Sequence, residues 1–587
     1  MLESCRSVQH GEDVLLLLCG WSFWRETNGL LFAESGCSGF GNVRARTQGM
    51  KNRIEISKRL LLINSASSIG AQVLQMAVLL WVQYRILDRR SAEEFGLSPL
   101  VWAVIHFIPL FTDILTAGLQ RYVIEAYAQG DENRVRQIVS SMFPVLLTGG
   151  LVLLFGGGLA VWHVEKILVI PEGLIWDARL MMFLPLLVMA AQLPCSPLGQ
   201  GLYVRQRYVT MNIISLCSDV VKTALLLTLI LGVSTRVIWM AVATVVGQMI
   251  SLVVSTILSL RAMPELRYRY APIDWNMVRA ITGFGGWNFL ISLATRLREY
   301  SVPLILNRLG PGASVELTTF HVGSIARRLT DQFFHVMARP TYPIINGMYA
   351  MGAKDRFRSA YLRGGRIGLW ITLLVAIPAS IYAEPVIRLY TKGKYPDAAT
   401  VMMLTLACYV LSHGSWLVGT VAAAKAQVRP LGIRLSAAQA AGVVLTIILA
   451  GRLGFGRVGA AAIGAAIATL SANAFSAVFF TLPLGLRLAE VKFGSWIRKT
   501  LLPGVAPACV TAVVWVALSL LVKPDTWFEV VACAAAGVPC YFAFLLAFCA
   551  EPTDRADLRK ILDRVKGRLA GTPSSPETAS VAPMQNP

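Results

Sequence analysis

The sequence predicts an all-α integral membrane protein of about 14 transmembrane helices, and three observations predict it: scarce charge, long apolar runs, and basic residues confined between those runs. Only 15% of the 587 residues are charged and 55% are hydrophobic, with a mean hydropathy of +0.59. A soluble domain carries about 25% charged residues, so the chain's main solvent is lipid. Val73 to Val82, Val145 to Val161, Leu225 to Val233, Leu369 to Ile381 and Ala532 to Phe548 each anchor a stretch near the roughly 20 residues that cross a hydrocarbon core. The net charge of +21 resembles a nucleic-acid signature, but its distribution argues against one. Lys and Arg sit in short loops between apolar runs, as membrane topology requires, and form no basic face interleaved with aromatics. No nucleic-acid partner is expected; membrane lipids are.

Fourteen spans fall at roughly 60–84, 98–118, 138–162, 180–203, 210–232, 237–260, 284–306, 318–338, 366–384, 398–423, 432–450, 459–482, 500–522 and 528–549. With this count, alternate loops collect most of the Lys and Arg, which places both termini in the cytoplasm of a bacterial cell and the chain, multi-pass, in its inner membrane. An odd number of spans would scramble that bias.

The organisation follows from the spans. Helices 1–6 over residues 50–262 form an N-lobe, 263–283 a cytoplasmic linker, and helices 7–12 over 284–482 a C-lobe. Helices 13 and 14 (483–549) are an appendage, and 550–587 a cytoplasmic tail. In that tail Leu558, Ile561, Leu562, Val565 and Leu569 lie opposite Arg559, Lys560, Arg564 and Lys566, the pattern of a surface amphipathic helix or of a solvated helix end. An internal repeat is visible. Arg121-Tyr122 and then Tyr127-Ala128-Gln129-Gly130-Asp131, with Arg134 and Arg136 following, matches Arg339-Pro340 and then Tyr349-Ala350-Met351-Gly352, with Asp355, Arg356 and Arg358 following. Six spans separate the copies, so they point the same way and describe a parallel repeat about an axis along the membrane normal.

Residues 1–49 read differently. The apolar run Val14 to Leu18 is preceded by Glu3, Glu12 and Asp13, not by the basic n-region of a signal peptide, whereas Lys51-Asn52-Arg53 and Ser57-Lys58-Arg59 lead normally into a first span. Met50 is the expected start, and 1–49 a non-native or disordered extension.

Ten cysteines are scattered without a C-x-x-C pair, and Cys195, Cys217, Cys408, Cys509, Cys533, Cys540 and Cys549 lie in apolar segments; they read as small buried residues, not as a disulfide or zinc framework. No G-x-x-x-x-G-K-[ST] phosphate loop is present, and every loop predicted outside is short, which disfavours a membrane-embedded glycosyltransferase or polymerase. Neither catalysis, cofactor nor metal is expected.

Several segments together resemble a known family. Asp113-Ile114-Leu115-Thr116-Ala117-Gly118-Leu119, with Arg121-Tyr122 and Tyr127 to Asp131, resembles the second helix and following loop of polysaccharide-biosynthesis membrane proteins. Phe284-Gly285-Gly286-Trp287 is similar to their seventh helix's beginning, Arg339-Pro340 to Pro343 and Tyr349 to Gly352 to the end of the eighth, and Leu453-Gly454-Phe455-Gly456-Arg457-Val458-Gly459-Ala460-Ala461 to their G-x-x-G-A-A opening of the twelfth. The cover runs from about Met50 to Leu482, and it is the order and spacing of the segments that carries it. The family is the Wzx-type O-antigen and exopolysaccharide flippases of the multidrug/oligosaccharidyl-lipid/polysaccharide (MOP) superfamily, which also holds lipid II flippases and MATE drug exporters. The resemblance implies a V-shaped pair of six-helix bundles, an undecaprenyl-diphosphate-linked sugar as cargo, transport by alternating access, and polysaccharide polymerases or export proteins as partners. Many relatives carry an acid near Pro303 to Leu306; here the nearest is Glu299, so no ion-coupling role carries over.

Charges inside the spans locate the candidate site. A charge at the bilayer centre costs about 2.5–3.5 kcal/mol even on the lenient insertion scale, and faces a cavity or a partner. The seventh span carries Arg296, Arg298 and Glu299, and the eighth Arg327, Arg328 and Asp331. At about 1.5 Å per residue both groups lie roughly 18–20 Å from the cytoplasmic ends. Glu299 is placed to pair with Arg296, and Asp331 with Arg327 or Arg328, which leaves a surplus of two positive charges. Given the implied cargo, a diphosphate is the natural complement, because guanidinium offers bidentate donors to phosphate oxygens. The alternative is that the arginines only satisfy the two acids and nearby carbonyls. Asp219 and Lys222 are spaced for an internal ion pair. Asp113 and Arg121 sit nearer span ends, His321 flanks the charged centre, and Gln72 and Gln75 share one face of the first span; these are second-tier cavity candidates. Mass spectrometry of the purified protein tests the start: the expected N-terminal peptide begins at residue 50, and a peptide from 1–49 counts against it.

Overall fold

The computed structural model describes residues 76–551 and 554–555, apart from 89–91, 117, 129, 206, 309–311, 339–340, 342–344, 346–347, 350–353, 426 and 455–458. Gln72, Gln75, the extension 1–49 and the amphipathic pattern at 558–569 lie outside the described residues, as do the side chains of Arg121 and Arg298. The chain divides into two compact units, Ile56–Tyr541 and the two ends Met1–Glu55 with Phe542–Pro587. In the second unit the helix closes on a π turn at Leu545–Cys549, and Arg555 donates to the Ala547 carbonyl (2.7 Å).

Every regular element among the described residues is a helix, and none is a strand. Helix α1 is residues 76–88, the described part of the first span. The second span is α2 (Ala92–Ile105) and α3 (Ile108–Thr116), and α4 (Leu119–Ala128) continues it. Then come α5 (Glu132–Trp162), α6 (Ile175–Leu198), α7 (Tyr208–Gly232) and α8 (Ile238–Ala262). The seventh span is α9 (Trp275–Arg308), and the eighth is α10 (Ala313–Gly323) with α11 (Ile325–Ala338). The ninth is α12 (Lys354–Ile381), followed by α13 (Ala383–Thr391); the tenth begins with α14 (Asp397–Ala407) and ends with α15 (Val418–Ala424). Helices α16 (Val428–Gly454), α17 (Ala460–Phe475), α18 (Leu482–Ala489), α19 (Leu502–Val522) and α20 (Trp527–Phe544) complete the order.

Eleven helical stretches among the described residues are long and apolar enough to cross a membrane. The three predicted spans missing from that set each have a reason. The first is only partly described. The seventh, α9, is 34 residues long but too polar along its length, with Gly, Asn and charged residues between the apolar ones. The eighth, α10 with α11, carries Glu316, Arg327, Arg328 and Asp331.

Helix starts depart from the apolar boundaries where a polar residue caps them. Helix α5 begins at Glu132, six residues before the apolar run, because the Asp131 carboxylate accepts from the Arg134 N–H (2.9 Å), satisfying a free amide of the first turn. Gly130, at φ +73°, turns the chain into that cap from a left-handed conformation that glycine adopts without strain. Helix α9 starts at Trp275, inside the stretch assigned to the linker, because Asp274 accepts from the N–H groups of Asn276 (3.0 Å) and Met277 (3.2 Å).

Packing runs α5 on α6, α6 on α8 and α7 on α8, and separately α16 on α17, α14 on α17 and α12 on α19. Helix α9 packs on α3 as well as α16, and α10 on α2 as well as α14. The spans that carry charge are therefore the ones at the centre. Near the predicted cytoplasmic ends Leu119, Val123, Ile138, Met142 and Ile281 close a buried cluster joining α4, α5 and α9.

Two buried glutamates tie helix starts across the bundle in the same way. Glu94 of α2, 8% exposed, accepts from the Val237 N–H (3.3 Å) just ahead of α8. Glu316 of α10, 7% exposed, accepts from the N–H groups of Gly459 and, at 2.8 Å, Ala462 at the start of α17. Each glutamate meets the cap residue 143 positions further on, and Glu94 and Glu316 are separated by the same 222 residues as Tyr127 and Tyr349 of the sequence repeat. A carboxylate at a helix N-terminus satisfies free amides and complements the helix dipole. Gly459, at φ +93°, explains the glycine that opens the G-A-A motif. Replacing Glu316 by Ala is expected to destabilise the fold by about 1–2 kcal/mol, the cost of a lost cap, lowering the thermal midpoint of the detergent-solubilised protein in a size-exclusion melt; an unchanged midpoint counts against the cap.

Candidate functional site

The site is built from two broken helices and one continuous one. Between α2 and α3 the chain makes a turn at His106 and Phe107: Phe107 N–H bonds the Val104 carbonyl (3.0 Å) and Leu110 N–H the Phe107 carbonyl (3.1 Å). Pro109 brings no N–H to the helix ladder there and crowds the carbonyl four residues before it. Leu110 is thus drawn off the His106 carbonyl, which points across to α9 and accepts from Arg296 Nη1 at 2.6 Å. Arg296 also reaches the Asp113 carboxylate of α3 (3.5 Å). The His106 ring stacks on Tyr300 of α9, centroids 4.2 Å apart, and is held by the Trp102 carbonyl 2.6 Å from Nδ1.

The second break, at Ser324, lies in the repeat-related helix pair. Arg327 meets Asp331 (3.4 Å), one turn on, and the Tyr409 hydroxyl lies 2.8 Å from both Asp331 Oδ1 and the Arg327 carbonyl. Arg328 bonds the Ser324 hydroxyl (2.5 Å) and the His321 carbonyl (2.8 Å), with His321 Nε2 at 3.4 Å. All are neutral groups. The side chain of Arg328 is exposed, while its guanidinium is held by these contacts at the break between α10 and α11. Arg296 and Arg328 both act on Tyr300, and Arg327 feels Glu299, so the charges of α9 and α11 share one electrostatic neighbourhood.

The geometry rearranges the expected pairing. The Arg327–Asp331 pair forms as the spacing suggests, whereas the carboxylate that Arg296 reaches belongs to Asp113, on another helix. Helical spacing alone hides such a partner, because it offers only neighbours on the same helix. Counting Asp113 lowers the surplus around Arg296, Arg298, Glu299, Arg327, Arg328 and Asp331 from two positive charges to one. Among the described arginines, Arg328 is the one whose hydrogen bonds go to neutral groups.

Other candidates fall elsewhere. Asp219 and Lys222 form their ion pair at 3.1 Å on α7, where the Lys222 stem lies against Gly247 of α8. His321 joins the site through its carbonyl and ring, the ring also edge-on to Phe95 of α2 (5.7 Å). The backbone of His106, together with Tyr300, Ser324 and Tyr409, belongs to the site without having been singled out in the sequence; Pro109, inside an otherwise continuous apolar span, was the available signal for the first break. Among the described residues no group of His, Cys, Asp and Glu is arranged to hold a metal ion.

Known structures share this architecture. No family model matches the chain, and no curated protein matches it in sequence. The lipid II flippase MurJ in an inward closed conformation superposes with a TM-score of 0.57 at 11% identity, over 82% of this chain and 98% of MurJ. A multidrug resistance MATE family transporter of the MOP superfamily, inward-facing, gives 0.55 at 14% identity over 71% of this chain and 95% of its own. A MOP superfamily transporter from Pyrococcus furiosus, described as having a binding pocket of reversed polarity, gives 0.53 at 13% identity over 73% and 94%. The chain therefore has the all-α membrane fold of the MOP-superfamily transporters. Its structural neighbours are transporters and flippases, and none of these three is an enzyme.

If Arg296 and Asp113 form one interaction, their removal is non-additive. In a double-mutant cycle on thermal stability, Arg296→Ala and Asp113→Ala are expected to show a coupling of about 0.5–3 kcal/mol, the range for residues in contact; simple additivity would place the two side chains in separate environments.

Proposed function

We propose that the protein is a flippase that moves polyprenyl-diphosphate-linked oligosaccharide repeat units across the bacterial inner membrane for polysaccharide biosynthesis and export, with both termini in the cytoplasm. The observation that carries the reading is Arg328: an exposed guanidinium within a predicted span, hydrogen-bonded to Ser324 and the His321 carbonyl and to no carboxylate among the described residues, where an unneutralised charge is costly unless an anion visits. Arg296 of α9 and Arg327 beside Arg328 act in the same electrostatic neighbourhood, with Asp113 and Asp331 tempering them, and the reading assigns Arg298 to the same cationic set. A diphosphate fits that surround because guanidinium groups meet phosphate oxygens with paired, charge-assisted hydrogen bonds. Export of a net negative charge is also favoured by about 2.3 kcal/mol per elementary charge per 100 mV of inside-negative potential, so the membrane potential assists transport.

The same cation would serve a lipid II-type cargo, whose carrier bears the same diphosphate, so the glycan and not the anion separates those readings. A cationic drug would meet a centre of the wrong sign.

The test is flipping of a lipid-diphosphate oligosaccharide in proteoliposomes. Arg328→Ala, checked for folding by size-exclusion profile, is expected to lower flipping by about 10–100-fold, the worth of a charged hydrogen bond of about 1.5–3 kcal/mol, with Arg328→Lys retaining part of it. Undiminished flipping by the folded Ala variant would place the phosphate elsewhere.

A further inference from the structure

The predicted outer loops hold a set of polar contacts that the central site does not use. At the end of α9, Asn307, 5% exposed, exchanges two hydrogen bonds with the backbone of Val169 in the loop after α5: the Val169 N–H donates to Asn307 Oδ1 and Asn307 Nδ2 to the Val169 carbonyl, both at 2.9 Å. Arg308 beside it donates to the Lys166 carbonyl (3.2 Å). A second set joins the end of α1 to the turn after α13. Lys392 pairs with Asp88 (2.6 Å), Lys394 Nζ lies 3.5 Å and 3.4 Å from the Leu87 and Asp88 carbonyls, and the Tyr390 hydroxyl reaches the Leu80 carbonyl (3.3 Å). The Asp88 carboxylate, hydrogen-bonded to the Lys392 ammonium, raises its pKa above the ordinary value, so the pair stays charged at neutral pH.

The two sets are related by the repeat. Shifted by the 222 residues that separate Glu94 from Glu316, Val169 falls on Thr391, between Tyr390 and Lys392, and Asn307 falls back on Arg85, one turn before Asp88. The loop after the third span clasps the end of the seventh, and the loop after the ninth clasps the end of the first. By the order of spans all four segments lie on one side of the membrane. Each clasp joins the predicted N-lobe to the predicted C-lobe, and the two exchange the roles of the lobes.

We propose that these reciprocal clasps, Asn307 with Val169 and Asp88 with Lys392, are the two halves of one outer gate, which part together to release cargo from the central site. The inference rests on the transporter reading above but not on the identity of the cargo. The two halves differ in strength. Exposed ion pairs contribute little net stability, and Lys392 and Asp88 are 53% and 24% exposed; the buried Asn307 amide, with both its polar atoms bonded, costs more to separate. The Asn307 clasp is therefore the dominant half, and its loss is expected to loosen the other.

The experiment joins Asp88→Cys to Lys392→Cys with a short bifunctional thiol reagent that does not cross membranes, in the full chain in proteoliposomes, with the joined peptides quantified by mass spectrometry. Efficient joining is expected, and adding Asn307→Ala is expected to lower it by about tenfold, roughly the equilibrium shift for one lost hydrogen-bonded contact. Unchanged joining in the presence of Asn307→Ala would overturn the proposal. Should that variant not fold, Asn307→Asp, which keeps the acceptor for Val169 and loses the donor, takes its place. Where the unjoined Cys pair flips a lipid-diphosphate oligosaccharide, the joined form is expected to stop and chemical reversal to restore it; continued flipping while joined would also overturn the gate. If no flipping occurs at all, the cargo assignment fails, and the joining yield still decides the gate.

Discussion

A guanidinium in hydrocarbon is expensive, about 2.5–3.5 kcal/mol at the centre of a span, and the centre of this protein is arranged around that cost. Arg296 is accommodated by drawing on a second helix. The carbonyl of His106, released from its own helix by the turn ahead of Pro109, and the carboxylate of Asp113 both reach it. Arg327 is paired within its own helix with Asp331, and Tyr409 fixes that carboxylate from the tenth span. Among the described residues, Arg328 receives dipoles from Ser324 and His321. The three arginines thus grade from bridged, through paired, to solvated by neutral groups, and the last is the one on which an anion has most to gain.

The helix breaks are part of that arrangement. An intact helix offers no free carbonyl at mid-span, since each bonds the amide four residues on. Irregular backbone at membrane depth is tolerated where it lines a cavity or is buried in protein. Here it does both jobs, presenting the His106 carbonyl to α9 and the His321 carbonyl with the Ser324 hydroxyl to Arg328. His106 and Arg328 occupy equivalent positions of the repeat, 222 residues apart. At this repeat position one copy carries an aromatic ring that stacks on Tyr300 and the other a cation bonded to neutral groups.

Much of this was legible in the residues alone. Apolar runs near twenty residues gave the spans, because lipid leaves the backbone no alternative to the helix, and the recurrence of Tyr127 to Asp131 at Tyr349 to Gly352 gave the repeat that the glutamate caps on Val237 and Gly459 obey. The charged residues of the seventh and eighth spans were visible as exceptions within apolar text. Helix starts were less legible, since a single cap such as Asp131 or Asp274 extends a helix well beyond its apolar part. Partners across helices were not legible: Asp113 is far from Arg296 in sequence, and Tyr409 reports nothing of Asp331. Those contacts depend on which helix faces which, a matter of packing that periodicity does not encode.

The repeat also bears on how the halves are held. In the predicted two-lobe arrangement a duplicated lobe brings two copies of every loop to one face, and where the copies meet across the axis each contact has a counterpart with the roles exchanged. The Glu94 and Glu316 caps keep their chemistry in both copies because each acts within its own half, where the helix amides it satisfies are present in both. The clasps across the axis have diverged, a buried amide on one side and an ion pair on the other. That divergence is physically permitted because a contact between halves needs only to balance the separated state. In the proposed gate, two unequal contacts summing to a modest total hold the halves together and let them part, whereas two copies of the stronger would bind the face shut.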